Sequence, residues 1–449
     1  MMRLTEAAAV LGARSSGAEV RFSGVSTDTR TLKRGDLFVA LRGERFDGHD
    51  FLAGAAGAGA AAALVDHHYS GVYPVPVVIV DDTRRALGDL ARHWRARFSP
   101  ALVAVTGSNG KTTVKEMLAA ILRAHAGEDD VLYTKGNLNN DIGLPLTLLR
   151  LRHGQRWCAI ELGMNHKGEI AYLAGIARPT VALVNNAQRE HLEFMGSIDE
   201  VAEENASVYD ALPPQGVAVV NRDDAHGELF RQRAGTRRVV DFGTAGGSVT
   251  GSYVLKQLSS EIRVRTPEGE ADAVLAIPGL HNVRNALAAA ACAFAVAIAP
   301  KTIAEGLTAF RPYGGRLQIK KAPGGATVID DSYNANPDSV RAAIDVLASC
   351  PAPTVLVLGD MGEVGERGPE FHREVGAYAA AKKISQLLGI GEATKHAVDA
   401  FGSGARHFEK IEELVPNVKG ASILVKGSRF MRMERVVAAL TGAAAQRGH

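Results

Sequence analysis

The chain has 449 residues and a mass of 47.4 kDa, more than one hydrophobic core usually organises, and at roughly 150 residues per domain the expectation is about three domains. Hydrophobic residues make up 46% and charged residues 22%, near the averages for folded proteins, which excludes wholesale disorder, collagen-like repeats and coiled coil. Lys plus Arg number 51 against 49 Asp plus Glu, a formal charge of +2 with both signs interspersed, so no nucleic-acid surface is expected. The start, Met1-Met2-Arg3-Leu4-Thr5-Glu6-Ala7, lacks the apolar region of a secretory signal. The longest apolar runs, residues 51–65 and 286–299, fall short of the ~18 residues of a membrane span, and the reading is a cytoplasmic protein without membrane insertion. Cys158, Cys292 and Cys350 are far apart in apolar surroundings and read as reduced core residues.

From the start to about Asp82, strand-like runs at 36–41 and 76–80 alternate with an Ala/Gly-rich helical stretch at 51–63, which predicts a small α/β unit over residues 1–82. A basic amphipathic helix over 84–98 leads through Ser99-Pro100 into a strand at 101–106 and opens a second unit. The runs at 103–105, 158–160 and 181–184 are continuously apolar and separated by helical lengths, the pattern of a parallel sheet covered on both faces. An Ala-rich helix over 282–297 and a shorter one near 302–309 close this unit. The turn-formers in Arg311-Pro312-Tyr313-Gly314-Gly315 end it at residue 312. Residues 313–449 then read as a Rossmann-like doubly wound domain, with strands at 327–330, 354–358, 386–390 and 422–425 and helices such as 338–348 and 371–381. No Gly-x-Gly-x-x-Gly follows its first strand, so dinucleotide binding is not expected there.

The strongest chemical signal follows the strand at 101–106: Thr106-Gly107-Ser108-Asn109-Gly110-Lys111-Thr112-Thr113, then a helical stretch over 114–125. Glycines let backbone N–H groups close around phosphate oxygens, a helix N-terminus favours their charge, Lys111 can reach the terminal phosphates and Thr112 can ligate Mg²⁺. The spacing departs from the common Gly-x4-Gly-Lys-Ser/Thr, because Val105 stands where the first glycine would be. Nucleotide phosphate still accounts for this order of parts better than a plain turn before a helix. Glu161, at the end of an apolar run, suits a Mg²⁺ ligand on a neighbouring strand and equally a solvated strand-end carboxylate. His191 is a metal ligand or, more simply on its spacing from the strand at 181–184, a surface histidine. The Asn- and Gly-rich run from Lys135 to Pro145 has neither periodicity and reads either as ordinary turns or as donors for a polar ligand.

The loop string resembles the ATP loop of the Mur ligases, ATP-dependent enzymes that build the peptide stem of peptidoglycan. Lys135-Gly136-Asn137-Leu138-Asn139-Asn140, Asp330-Asp331-Ser332-Tyr333-Asn334-Ala335-Asn336-Pro337, Leu358-Gly359-Asp360-Met361 and Val425-Lys426-Gly427-Ser428-Arg429 resemble the member that adds D-alanyl-D-alanine. The N-terminal Ser26-Thr27-Asp28-Thr29-Arg30, Gly35 to Ala40 and Phe46-Asp47-Gly48-His49 are similar to the UDP-binding domains of the later ligases, so the resemblance covers essentially the whole chain. It argues against the folate-polyglutamate synthases, which share only the loop and the Glu and His positions. The Asp-Asn-Pro-Arg of the diaminopimelate-adding sibling does not occur here.

The resemblance implies a three-domain α/β fold: a UDP-sugar-binding domain over 1–82, a central P-loop ATP-binding domain over 83–312 and a Rossmann-like ligase domain over 313–449. It implies that Gly107, Ser108, Asn109, Gly110, Lys111, Thr112 and Thr113 hold the ATP phosphates, that Thr112 and Glu161 bind one Mg²⁺, and that His191 binds a second near the reacting carboxylate. Asn282 resembles an adenine-contacting asparagine, and Arg316, Asp331, Tyr333 and Asn334 resemble groups that close over ATP. Asn137, Asn139, Ser26, Asp28 and Arg30 would contact the UDP-sugar. The implied substrates are ATP, UDP-N-acetylmuramoyl-tripeptide and D-alanyl-D-alanine, joined through an acyl phosphate by a monomer whose C-terminal domain swings closed. One departure stands out. Many Mur ligases hold the second metal with a carbamylated lysine shortly after the histidine, yet no lysine lies between Lys167 and Lys256, and Asn205 takes that place. A neighbouring carboxylate or water is expected to replace the carbamate. Without the resemblance, a nucleotide-driven mechanical switch or a non-catalytic nucleotide sensor would also account for the loop, although no Asn-Lys-x-Asp guanine-reading string occurs.

Overall fold

Strand Ala101–Thr106, which leads into the phosphate-loop string, lies at the centre of a six-stranded, all-parallel sheet. It is flanked by Val181–Val184 and Trp157–Glu161; Val131–Tyr133 forms one edge, and Val217–Asn221 then Arg238–Phe242 the other. Leu102 and Ala104 point into one core with Leu87, Leu144 and Ile170. Val103 and Val105 point into another with Val114, Met117 and Leu287. This alternation is why the run is apolar throughout: both faces are covered. The register sets Glu161 beside Val105 and Val184 beside Thr106, so three strands deliver their carboxyl ends to one edge, where parallel sheets place their ligands. The computed structural model describes residues 1–44 and 46–442.

The N-terminal sheet has five strands, in the order Arg14–Ser16, Val77–Val80, Ala62–Asp66, Asp36–Val39 and Gly24–Ser26, parallel except at the first. Here the helix expected over 51–63 is corrected. A 3₁₀ turn, Gly48–Phe51, and a short helix, Leu52–Gly57, are followed by strand Ala62–Asp66. Alanine favours helix in isolation, but Gly57 and Gly59 stop it, and a fully buried strand slot takes the run that follows. Helix Thr83–Arg95, capped by the Asp82 carboxylate on the N–H groups of Arg84 and Arg85, packs its apolar face into the core shared by the N-terminal and central sheets.

After strand Arg238–Phe242 comes a three-stranded antiparallel sheet, Thr250–Leu255, Ser260–Thr266 and Gly269–Leu275, absent from the sequence reading. Charged residues alternate along it, with Arg263 opposite Asp272 and Arg265 opposite Glu270, so its hydrophobic signal is weak. Helices Leu280–Ala295 and Pro300–Ala309 then pack against helix Lys111–Ala126.

The C-terminal sheet has the order Gln318–Lys321, Thr327–Asp331, Ser422–Lys426, Thr354–Gly359, Gln386–Ile390 and Ala405–Phe408. The first strand is antiparallel and the rest parallel, the mixed edge common in doubly wound sheets. Among the described residues no helix is long and apolar enough to cross a membrane.

Candidate active site

Helix Lys111–Ala126 begins at the lysine itself, three residues earlier than sequence pattern suggested, because Gly110 adopts a left-handed conformation (φ 82°) as its N-cap. A Cβ at Gly110 would meet Asn285 Oδ1 at 2.3 Å, and one at Gly107 (φ 124°) would meet the Asn186 backbone N at 2.9 Å. Only glycine lets this loop lie so close to its neighbours. With no side chain capping the helix, its first N–H groups face the cleft beside Lys111, an arrangement suited to an anion.

A layer of amides fixes the loop from below. Asn205 Oδ1 accepts from Thr106 Oγ1 (2.7 Å) and from the Gly107 N–H (2.8 Å), while its Nδ2 donates to the Val201 carbonyl (2.9 Å). Asn186 Oδ1 accepts from the Asn109 N–H (2.8 Å), and Asn185 Nδ2 donates to the Asn109 carbonyl (2.7 Å). Asn205 therefore anchors the loop instead of facing a metal. The carboxylates beside it are engaged elsewhere: Glu204 caps a helix by accepting from the Gly168 and Ile170 N–H groups, and Glu203 lies 3.6 Å from Arg233.

Thr112 Oγ1 donates to Glu161 Oε1 (3.1 Å), which also accepts from Asn139 Nδ2 (2.7 Å). Glu161 Oε2 is buried with no partner. A buried carboxylate oxygen without a donor calls for a cation, and a hydroxyl and carboxylate at the start of a phosphate-loop helix are hard oxygen ligands suited to Mg²⁺. The solvated reading of Glu161 is thus replaced by a buried one.

His191 is also not on the surface; its side chain is 10% exposed. Its Nε2 lies 3.5 Å from Glu190 Oε1, and its Nδ1 lies 2.6 Å from Glu363 Oε2, close but poorly aimed for a hydrogen bond. Burial pushes the imidazole pKa down, yet Glu190 and Glu363 outweigh it and raise the value to about 9. Glu190 is opposite in sign. Burial raises its pKa, but the Lys111 ammonium and His191 hold the carboxyl below the ordinary range. Lys111 Nζ donates to the Gly107 and Ser108 carbonyls (2.6 and 2.9 Å) and to Glu190 (3.1 Å).

The opposite wall comes from the C-terminal domain. Arg316 lies with its guanidinium carbon 4.2 Å from the centre of the Tyr333 ring. Asp331 accepts from Lys426 Nζ (2.5 Å) and the Leu317 N–H (3.1 Å), and Lys426 also donates to the Asn334 carbonyl (2.9 Å). Burial raises the Tyr333 pKa, partly offset by Arg316. The two walls enclose a cleft of about 920 Å³ lined by Ser108 to Thr113, Glu161, His191, Asn137 and Asn139, together with Asn282, Arg316, Asp331, Tyr333 and Asn334. Gly107 lies beneath it. Asn282 donates through Nδ2 to the Pro278 carbonyl (2.7 Å). Beside it burial lowers the His281 pKa to about 4.

Ser26, Asp28 and Arg30 do not border this cleft. They sit at and beyond the end of strand Gly24–Ser26, with Arg30 bound to Asp28 at 2.6 Å. Sequence reasoning passed over Glu190, Arg189 and the Asn185-Asn186 pair. Arg189 crosses to the C-terminal domain, donating to Asp338 (2.6 Å) and Glu374 (2.6 Å), while Asn109 and Asn336 exchange amide hydrogen bonds. The one signal for these residues was their place immediately after an apolar parallel strand.

Residues 21–95 match the Mur ligase family catalytic domain, 105–293 the Mur ligase middle domain and 315–429 the Mur ligase glutamate ligase domain. The chain is 41% identical to the UDP-N-acetylmuramoyl-tripeptide–D-alanyl-D-alanine ligase of Escherichia coli K12, covering 97% of this chain and 98% of that one. The MurF structure from Acinetobacter baumannii superposes with a TM-score of 0.90 at 34% identity, covering 98% of both chains. That of the Thermotoga maritima MurF ligase in complex with ADP does so with 0.80 at 26%, covering 95% of this chain and 98% of the other. With its phosphate loop, buried Thr112–Glu161 pair and facing C-terminal wall in their expected order along the whole length, the chain belongs to the Mur ligase family.

Proposed function

We propose that this chain is an ATP- and Mg²⁺-dependent ligase that joins D-alanyl-D-alanine to UDP-N-acetylmuramoyl-tripeptide. The observation that carries the reading is Thr112 paired with Glu161 at the head of the phosphate-loop helix, the second carboxylate oxygen buried and unpartnered. Near-complete coverage of relatives bearing that name supports the substrate assignment.

A free carboxylate acylates poorly because oxide is a poor leaving group. In the proposed reaction a carboxylate oxygen of the tripeptide attacks the γ-phosphorus, the bond to ADP breaks and its electron pair leaves with ADP. The amine of D-alanyl-D-alanine then attacks the acyl carbon, gives up a proton and expels phosphate. Lys111 and the loop N–H groups from Gly107 to Thr113 hold and orient the phosphates. Thr112 and Glu161 would hold one Mg²⁺ and His191 a second, and bound Mg²⁺ supplies charge neutralisation on the phosphoryl oxygens. Arg316, Asp331, Tyr333 and Asn334 face the nucleotide from the C-terminal wall and exclude water from the acyl phosphate, while Asn282 lies on the adenine side. Asn137 and Asn139 meet the UDP-substrate at the cleft, and Ser26, Asp28 and Arg30 meet its uridine end in the domain of residues 1–82. The remaining domains run over 83–312 and 313–449, and the enzyme works as a cytoplasmic monomer.

The test is phosphate release with ATP and Mg²⁺, given UDP-N-acetylmuramoyl-tripeptide, D-alanyl-D-alanine or both. Turnover only with both, with a UDP-pentapeptide product by mass spectrometry, is the expected result. Turnover indifferent to the two substrates would sink the ligase reading in favour of a mechanical nucleotidase.

A further inference from the structure

Four residues that border the cleft take no part in holding the nucleotide: Arg84, Asp141, Tyr172 and Leu173. They converge from three elements. Arg84 stands in the first turn of helix Thr83–Arg95, Asp141 lies in the Asn-rich run, and Tyr172 and Leu173 belong to helix Glu169–Ala177. Gly88, one turn along from Arg84 on the same face, makes the junction possible, since a Cβ there would meet the Tyr172 hydroxyl at 2.4 Å. Arg84 Nη2 donates to Asp141 Oδ1 (2.8 Å), and its Nε lies 2.6 Å from Oδ2. Both side chains stay accessible on the cleft wall, 51% and 34% exposed.

This pair has binding capacity left. With Nε and one Nη2 proton turned to Asp141, three of the five guanidinium N–H groups remain, and each carboxylate oxygen keeps a lone pair. A carboxylate can therefore join Arg84, and an ammonium Asp141, without the pair opening. The two charges cancel, so a lone ammonium gains at Asp141 what it loses near Arg84, whereas a group carrying both charges matches the pair. Its place in the cleft suits one part of the peptide substrate. Asn139 donates to Glu161, and Asp141 stands two residues on, no more than about 7 Å of backbone away. With its terminal carboxylate at the cation held by Glu161, the tripeptide would lay the side chain of its third residue along this step, methylenes against Tyr172 and Leu173.

We propose that the Arg84–Asp141 pair sets the choice of third residue, selecting a side chain that ends in an amino group and a carboxylate on one carbon over a side chain that ends in a lone ammonium. The proposal rests on the ligase reading above and adds a specificity determinant to it. The test compares two UDP-tripeptides, one with diaminopimelate and one with lysine in third place, at saturating ATP, Mg²⁺ and D-alanyl-D-alanine. The wild type is expected to favour the diaminopimelate form by about tenfold or more in kcat/KM, the scale of a charged hydrogen bond. Arg84→Ala should bring the two forms to within about threefold of each other, chiefly by raising KM for the diaminopimelate form. Equal or reversed preference in the wild type would overturn the proposal. So would equal losses with the two tripeptides in Arg84→Ala, which would mark the arginine as a brace for the loop. Should that variant fail to fold, Arg84→Lys decides: it keeps a cation beside Asp141 without the planar fork, and is expected to narrow the preference, an unchanged preference overturning the proposal. Wild-type turnover with neither tripeptide would instead remove the ligase reading, and the proposal with it.

Discussion

On the central wall of the cleft, Lys111, Thr112 and Glu161 issue from adjacent parallel strands whose register fixes them, and the amides of Asn185, Asn186 and Asn205 lock the loop from beneath. The C-terminal wall is internally just as ordered, through the Asp331–Lys426 pair and the Arg316–Tyr333 stack. Behind the cleft the two domains share one cluster of buried apolar side chains, from Val103 and Leu287 to Val346 and Phe371, but at the cleft itself the contacts between the walls are polar. They include an arginine between two carboxylates, a pair of exchanged amides and His191 beside Glu363. Hydrogen-bonded ion pairs at a domain rim can be made and broken at small net cost, whereas a sheet register cannot. One wall is therefore a fixed template and the other a docked partner, which is what a reaction needing entry of three substrates and then exclusion of water requires.

The largest effect should come from the fixed wall. Lys111→Ala removes the loop's own cation and takes the ammonium away from Glu190. Steady-state ligase activity should fall by about 10³ or more, on the scale of losing a principal charge-stabilising group in phosphoryl transfer. Activity within tenfold of wild type would mean that the loop does not address the transferring phosphate.

Arg189→Ala should strike only the docking. The variant loses two ion pairs, leaving Asp338 without its side-chain partner and Glu374 held by Arg341 alone, so kcat should drop about 10- to 100-fold, the scale of ~1.4–2.8 kcal/mol at the transition state. Cys350 offers a direct reading of the same event, because its Sγ lies 3.9 Å from the carbonyl of Gln257, in the turn joining the first two strands of the antiparallel sheet. Its thiol pKa is raised by burial, while burial drives that of Cys158 up to about 12. In the variant Cys350 should react with a thiol reagent several-fold faster, with Cys158 unchanged. Equal acceleration at both would indicate general loosening and break the distinction between the walls.

Much of the fixed wall was legible in the sequence, because its chemistry lies in consecutive residues: Gly107 to Thr113 declare themselves by order, whereas Glu161, at the end of an apolar run, suited a metal ligand and a solvated carboxylate equally until its burial decided between them. What stayed hidden depends on contacts between residues far apart in the chain. Nothing local distinguishes a surface His191 from one enclosed by Glu190 and Glu363, or an ion-pairing Arg189 from any exposed arginine. The Ala-rich stretch at 51–63 misled for a related reason, its intrinsic helix preference overridden beyond Gly57 by a vacant place in a parallel sheet. The charged antiparallel sheet over 250–275 was missed because its alternation is mostly of opposite charges across strands.

Asn205 gives the finest division between the walls, since its side-chain hydrogen bonds all go to the loop strand and to its own helix. Asn205→Ala would leave the Gly107 N–H, the Thr106 hydroxyl and the Val201 carbonyl without their partner, at roughly 1–3 kcal/mol for an unsatisfied buried group. Urea unfolding should report that loss in the central domain. The anchored Gly107 N–H is one of several holding the loop, so catalysis should fall only about three- to tenfold, close to the ~1 kcal/mol of a single hydrogen bond. Cys350 reactivity should stay at the wild-type rate, because the docking contacts are intact. Added bicarbonate should leave wild-type activity unaltered, since an asparagine amide bound on both sides has no amine to carbamylate. A bicarbonate requirement would instead place a carbamylated group at the second cation, and would remove Asn205 from its role as an anchor alone.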